Sequence, residues 1–340
     1  MTQPILRVDV HTHLYPPGYL EALVGSGRVT RERDANGTEV LLSGGARLVT
    51  LTPPMTDVER RWADMEQAGI HVQVLSLTAP NVYFDDPGLA RELARASNEY
   101  FAELVAGAHG RLLALASIPL NHPQLAVEEL AHAIDTLGMQ GLIVACNIND
   151  VRLDAPELRD VFAEIRRREA PVLLHPSEPP GADAMADLGL VPLVGFIFDT
   201  TLTVARMAFS GMLDELRGLK LIVPHTGGAI PYLWARLDNG WRTYPEARQR
   251  CPEPPSAYLG ELYYDTVSFH MPSLRAVYET VGAGHMVLGS DYPHVIGDAA
   301  AAVATVEALD LDDAERRAIC SENVLALLLG TERVATRSQA

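Results

Sequence analysis

The feature that most constrains this chain is a rhythm of eight short, β-branched or apolar runs, separated by longer stretches with helical or loop character. The runs are LRVDVH (6–11), VQVLSL (72–77), LLALASIPL (112–120), LIVACNI (142–148), PVLLH (171–175), LKLIVPH (219–225), LYYDTVS (262–268) and MVLGSD (286–291). They are nearly continuous in apolar character, which suits strands covered on both faces, as in a parallel sheet. The intervening stretches 57–69, 86–110, 122–138 and 155–169 carry helical patterns, the first ending on Gly69, a C-cap residue. Strand–helix alternation along the whole chain predicts one α/β domain over residues 1–340. Eight strands is the number that closes a (β/α)8 TIM barrel. An open doubly wound sheet is the competitor, but no glycine-rich phosphate loop follows the first run.

Three stretches break the rhythm. Residues 28–51 predict a small hairpin inserted after the first strand, turning at Asn36-Gly37. Residues 177–217 begin proline-rich and continue as a long apolar helical region, and residues 236–260 are polar, aromatic and proline-rich. Insertions of this kind shape a pocket or an oligomer contact.

Composition narrows the function by exclusion. With 27 basic and 44 acidic residues the net charge is −17, which argues against non-specific attraction to nucleic acid or an anionic membrane. No segment offers the roughly 18–20 uninterrupted apolar residues of a membrane span, and the N-terminus lacks the basic and apolar regions of a secretory signal. Cys146, Cys251 and Cys320 form no CxxC pair, so a disulfide framework is not expected and a cytoplasmic location is.

Chemistry concentrates at the ends of the predicted strands. His11 and His13 close the first, His175 the fifth, His225 the sixth and Asp291 the eighth. In a barrel those ends converge on one mouth, where active sites lie. Residues i and i+2 of a strand point the same way, so an HxH pair can offer two imidazoles to one ion. His11, His13, His175 and Asp291 therefore form a candidate set of metal ligands, with a coordination position left over for chemistry. Any of these residues alone would pass for a core histidine or a helix cap; together at converging strand ends they point to a metal. A second metal would need a lysine or glutamate on the fourth strand as a bridge. That strand reads GLIVACNIND, and the chain's only lysine, Lys220, opens the sixth. One divalent ion is expected, zinc before manganese on the N/O donor set.

The segments VDVHTH, LLHP, PHTGG and GSDYPH, with RLDNGWR and CPEPPSAYLGELYYDTVSF near the C-terminal end, resemble the amidohydrolase superfamily. The likeness is to its aminocarboxymuconate-semialdehyde decarboxylase-like branch. The resemblance implies that His11, His13, His175 and Asp291 bind the metal and that His225 is a catalytic histidine beside metal-activated water. It implies that Arg47 grips a substrate carboxylate, and that Arg236 reaches the pocket of a neighbouring subunit in a homodimer. For either arginine a surface or packing ion pair is the alternative. A planar guanidinium suits such a grip, because it pairs with a carboxylate through two hydrogen bonds.

The sequence departs from the type decarboxylase at Ser177 and Glu178, which follow His175-Pro176, and at His294, where aromatic residues are usual. Ser177 and His294 are expected to make the substrate pocket more polar, although His294 can instead face solvent after Pro293. The expected function is a metal-dependent non-oxidative decarboxylase of a small aromatic or muconate-like carboxylic acid, with His225 as general base and Asp291 passing a proton. A hydrolase, lactonase, hydratase or cyclase using the same site is the alternative, and a non-catalytic metal-binding protein is a third.

Overall fold

The computed structural model of the chain describes residues 5–330. Eight parallel strands pair in sequence order: β1 (Val8–His13), β2 (Val72–Ser76), β3 (Leu112–Ala116), β4 (Gly141–Ala145), β5 (Val172–His175), β6 (Leu221–Val223), β7 (Tyr263–Asp265) and β8 (Met286–Val287). The ring closes between β8 and β1, where Val10 N–H donates to Leu288 O at 2.9 Å and His13 N–H to Tyr292 O at 2.8 Å. This is the expected (β/α)8 barrel. Most strands stop earlier than their apolar runs. The surplus residues 117–120 leave the sheet and form a loop of the mouth, whereas 288–291 run on beside β1 as an irregular extension of β8.

Two apolar layers hold the barrel. Val8, Val10, Val74, Leu115, Ile143, Leu173, Ile222 and Val287 fill its interior. The helix Asn323–Leu329 packs Val324, Leu327 and Leu328 into the same cluster. The alternate residues, among them Leu142, Val144, Leu174, Val223 and Tyr264, face outward and pack beneath the helices. The period-2 alternation of a strand thus serves two cores at once, which is why the runs read as continuously apolar. Helix limits follow local chemistry. Asp57 caps Val58–Ala68 by accepting from Arg60 N–H, and Gly69 ends it at φ 68. Asp86 accepts from Gly88 N–H at the start of Pro87–Gly107, with proline in the first turn.

The insertion after β1 is larger than the expected hairpin. A short helix, Tyr19–Gly25, precedes an antiparallel three-stranded meander of Thr30–Arg33, Glu39–Ser43 and Ala46–Thr50. The first turn is where the Asn36-Gly37 signal put it; the second, at Gly44-Gly45, uses two glycines of positive φ, which the sequence reading passed over. The helical stretch Val191–Phe209 is long and apolar enough to cross a membrane by length and composition. Its inner face nevertheless buries Asp199, Thr200, Thr203, Val204 and Met207 against the barrel.

Candidate metal centre

His11, His13, His175 and Asp291 meet at the C-terminal mouth of the barrel. One ligand atom from each lies within 4.8 Å of all the others, and all four residues are buried. Parity explains how they reach it. On β5 and along the extension of β8 they continue the inward-facing rows of Leu173 and Val287. On β1 the row would run Val8, Val10, Thr12 and leave both histidines facing out. A one-residue bulge intervenes: Asp9 pairs with Gln73 but Thr12 with Leu75, so β1 spends three steps where β2 spends two. A bulge of one residue swaps the faces of everything beyond it. Below it the valines point into the barrel; above it His11 and His13 do.

The hydrogen bonds around the cluster free the atoms a metal would need. His175 Nδ1 lies 2.8 Å from Pro176 O and donates to it, which leaves Nε2 as a lone pair. His11 Nδ1 is 2.6 Å from Asp265 Oδ2, and His13 Nδ1 is 3.0 Å from Ser76 Oγ. The Nε2 atoms of His11 and His175 are buried without any hydrogen-bond partner. Such orphans are costly unless an ion satisfies them. His13 Nε2 and Asp291 Oδ1, 3.2 Å apart, meet at the same point, and three imidazoles with one carboxylate so arranged fit a divalent metal.

Electrostatics agree with that reading for His13, His175 and Asp291. Burial, with His11 and His294 nearby, drives His13 down to about 3, and burial with the other imidazoles lowers His175 well below the usual range. Burial thus favours the neutral form of both, the form in which imidazole binds a metal. Burial opposes charge on His11 too, but the Asp265 hydrogen bond and the carboxylates of Asp291 and Asp265 raise it. Burial also disfavours the Asp291 carboxylate, yet the surrounding His294, His13 and His225 hold it well below the ordinary carboxyl range.

His225 stands beside the four and not among them. Its Nε2 is 3.8 Å from Asp291 Oδ2. It is held by a run of left-handed residues, His225, Thr226 and Gly227, at φ 53, 54 and 81. At Gly227 a Cβ would meet the Tyr264 ring at 2.7 Å, so the HTGG motif needs glycine there for space as well as for conformation. Asp265 ties this loop to the ligands, since its second oxygen accepts from Thr226 N–H and Val267 N–H, each at 3.1 Å. The sequence reading missed Asp265, although an acid inside the strand YYDTVS was the available signal.

The cluster lies at the floor of a cavity of about 530 Å³ with a wall of Leu48, Phe196, Ile197, Val267, Phe269 and Ile296. His294 lines it and does not face away into solvent; its Nε2 is 2.9 Å from Thr78 Oγ1. Arg47 lines it as well, with two of its N–H groups engaged by Asp34 Oδ2 at 3.0 Å and Thr50 Oγ1 at 2.8 Å. Ser177 and Glu178 lie on another side. Ser177 is absent from this cavity's wall: its N–H donates to Asp199, its hydroxyl to Asn147 O, and it lines a separate polar cavity. Glu178 turns to the same side and accepts from Ser43 Oγ. Both follow from the loop after β5, which Asp199 and Asn147 pull away from the mouth. Arg236, exposed on the helix Ile230–Thr243, does not line the cavity of its own chain.

The amidohydrolase family matches this chain over residues 8–329. The chain belongs to the amidohydrolase family. Among similar proteins is a 2-amino-3-carboxymuconate-6-semialdehyde decarboxylase of Dictyostelium discoideum, 28% identical over 86% of this chain and 83% of that one. A gamma-resorcylate decarboxylase of a Rhizobium species is 31% identical over 67% of this chain and 74% of its own length. A solved dihydroxybenzoic acid decarboxylase of a Polaromonas species, with bound manganese and the inhibitor 2-nitroresorcinol, superposes with a TM-score of 0.78 at 25% identity, covering 96% of this chain and 97% of that one. This amidohydrolase is an enzyme, which sets aside the non-catalytic reading, and it carries a metal site.

Proposed function

We propose that this amidohydrolase is a non-oxidative decarboxylase of a small aromatic or muconate-like carboxylic acid, dependent on one divalent metal held by His11, His13, His175 and Asp291. The observation that carries this reading is the pairing of Asp291 with His225 at 3.8 Å on the floor of a largely apolar cavity. When bound, the metal supplies Lewis-acid polarisation and a positive charge that anchors an acidic substrate oxygen. The donor set suits zinc and manganese alike, and manganese in the Polaromonas enzyme makes it as good a first choice as zinc.

Loss of CO2 from a ring requires a proton on the carbon that the carboxylate leaves. Asp291 and His225 together can hold that proton and pass it to the carbon as the C–C bond breaks, so that the carboxylate and the proton become CO2 and the C–H product. The apolar wall takes the ring face and excludes water. Arg47 retains three of its five N–H donors for a carboxylate or phenolate at the rim. His294, fixed by Thr78, faces the cavity from the side of His13 and offers a further polar contact to a ring substituent.

The engagement of Arg47 by Asp34 also favours a second reading. With part of its charge neutralised, the same cavity suits an uncharged ester or lactone, His225 then acting as general base in hydrolysis. A panel of hydroxylated benzoic acids and their esters, offered to manganese- or zinc-loaded protein, separates the two by CO2 release against acid release. His225→Asn should keep its metal and lose turnover by roughly 10²–10⁴-fold; wild-type turnover in that variant refutes both readings of His225.

The amidohydrolase is further proposed to act as a homodimer. Phe198 and Leu202 on one helix and Tyr232 on another are exposed by 59, 47 and 90%. Arg236 lies one turn beyond Tyr232 on the same helix, so it would accompany that face to a partner's mouth. Sedimentation of the purified protein tests this, and a monomer at working concentration refutes it.

A further inference from the structure

Asp9 has no part in the chemistry above, yet its carboxylate is fully buried at the seam where β8 closes on β1. The bulge between Asp9 and Thr12 takes the His11 N–H out of the pairing with β2. A buried N–H left in that state costs about 1–3 kcal/mol. Asp9 Oδ1 accepts it at 3.3 Å. The same carboxylate accepts from Ser290 N–H at 3.0 Å and from Ser290 Oγ at 2.5 Å.

Ser290 directly precedes Asp291, which sits at φ 60, a left-handed conformation that a residue with a Cβ adopts only when its surroundings impose it. The Ser290 hydroxyl in turn accepts from Tyr292 N–H at 3.2 Å, and Asp291 N–H donates to His11 O at 2.9 Å. One carboxylate therefore braces both irregularities that aim ligands at the centre: the bulge that turns His11 and His13 inward, and the turn that brings Asp291 over them.

We propose that Asp9 is a positioning residue of the metal centre, its carboxylate holding the β1 bulge and the Ser290-Asp291 turn in register so that ligands from the two ends of the chain share one ion. This rests on the metal reading given above. Without the brace, β1 has a regular alternative in which the extra residue is paired and both histidines face away from the mouth.

The test measures the Mn2+ dissociation constant of the full chain by competition with a fluorescent chelator, beside the melting temperature of the metal-free protein. Asp9→Asn places an amide NH2 against the His11 or Ser290 donors and should weaken Mn2+ binding by about 10–100-fold, the range for groups that orient ligands. Ser290→Ala keeps both backbone contacts and should weaken it less, and it remains informative if Asp9→Asn does not fold. The double variant should bind no more weakly than Asp9→Asn alone, because both changes break one brace. Wild-type Mn2+ affinity in folded Asp9→Asn or Ser290→Ala overturns the proposal. So does a loss confined to metal-free stability, with affinity per folded molecule unchanged. If the wild-type protein itself binds no Mn2+ or Zn2+, the metal reading fails and the brace falls with it.

Discussion

Asp265 offers the sharpest test of how the ligand shell is oriented, because one oxygen can be replaced by nitrogen without changing its shape. In the native site the fully buried carboxylate accepts from His11 Nδ1 at 2.6 Å, and from Thr226 N–H and Val267 N–H at 3.1 Å each. Asp265→Asn must give up one end. If the amide oxygen stays with His11, the NH2 faces two buried N–H donors, which lose their acceptor at roughly 1–3 kcal/mol apiece. If the amide turns over, the backbone donors are satisfied and the NH2 faces His11. That orientation gives up one charge-assisted hydrogen bond, about 1.5–3 kcal/mol, and so costs less. It also makes His11 Nδ1 the acceptor, which puts the ring proton on Nε2, where the metal should bind.

The variant should therefore fold, with a stability loss of roughly 1.5–3 kcal/mol, while its metal affinity drops about 10–100-fold. Each tenfold corresponds to about 1.4 kcal/mol, so the two losses have similar size but separate readouts. Urea unfolding of the metal-free protein gives the first and chelator competition the second. Folded Asp265→Asn that binds metal as tightly as wild type would show that this hydrogen bond does not set the His11 tautomer, and the reasoning would fail.

Two other perturbations follow from the packing. At Gly297 a Cβ would lie 2.3 Å from Asp291 O and 2.9 Å from Ser290 O, and backbone cannot swing aside as a side chain can. Gly297→Ala should cost roughly 1–3 kcal/mol and shed metal on dialysis, since the displacement falls on a ligand; full metal content with an unchanged melting temperature counts against it. Asp199 is raised from 3.8 to about 6, chiefly by burial. Because the folded value is the higher one, the relative stability it confers is complete below about pH 4 and lost as pH rises through about 6. Asp199→Asn should therefore melt higher than wild type near pH 8, by at most roughly 3 kcal/mol of stability, and lose that advantage near pH 4. A melting difference independent of pH would refute the assignment.

What the sequence determined by itself was mostly a matter of counting and spacing. Eight apolar runs required a sheet covered on both faces, and histidines and an aspartate at their ends required a cluster at one mouth. These are local facts, because a strand's own alternation and its length do not depend on what it pairs with. The separation of Ser177 from His294 was not legible in that way. Both follow a ligand by two or three residues, but Asp199 and Asn147, distant in sequence, draw one away, while Thr78 on the loop after β2 keeps the other in. The same holds for Asp265, whose importance lies in the three donors it gathers from β1, the loop after β6 and its own mouth loop. The HxH motif shows the division most clearly. Its spacing fixed that His11 and His13 share a face, because side chains repeat every second residue. Which face was decided only by the register of β1 against β2, where one extra residue at the bulge turns the pair from the helix layer into the barrel.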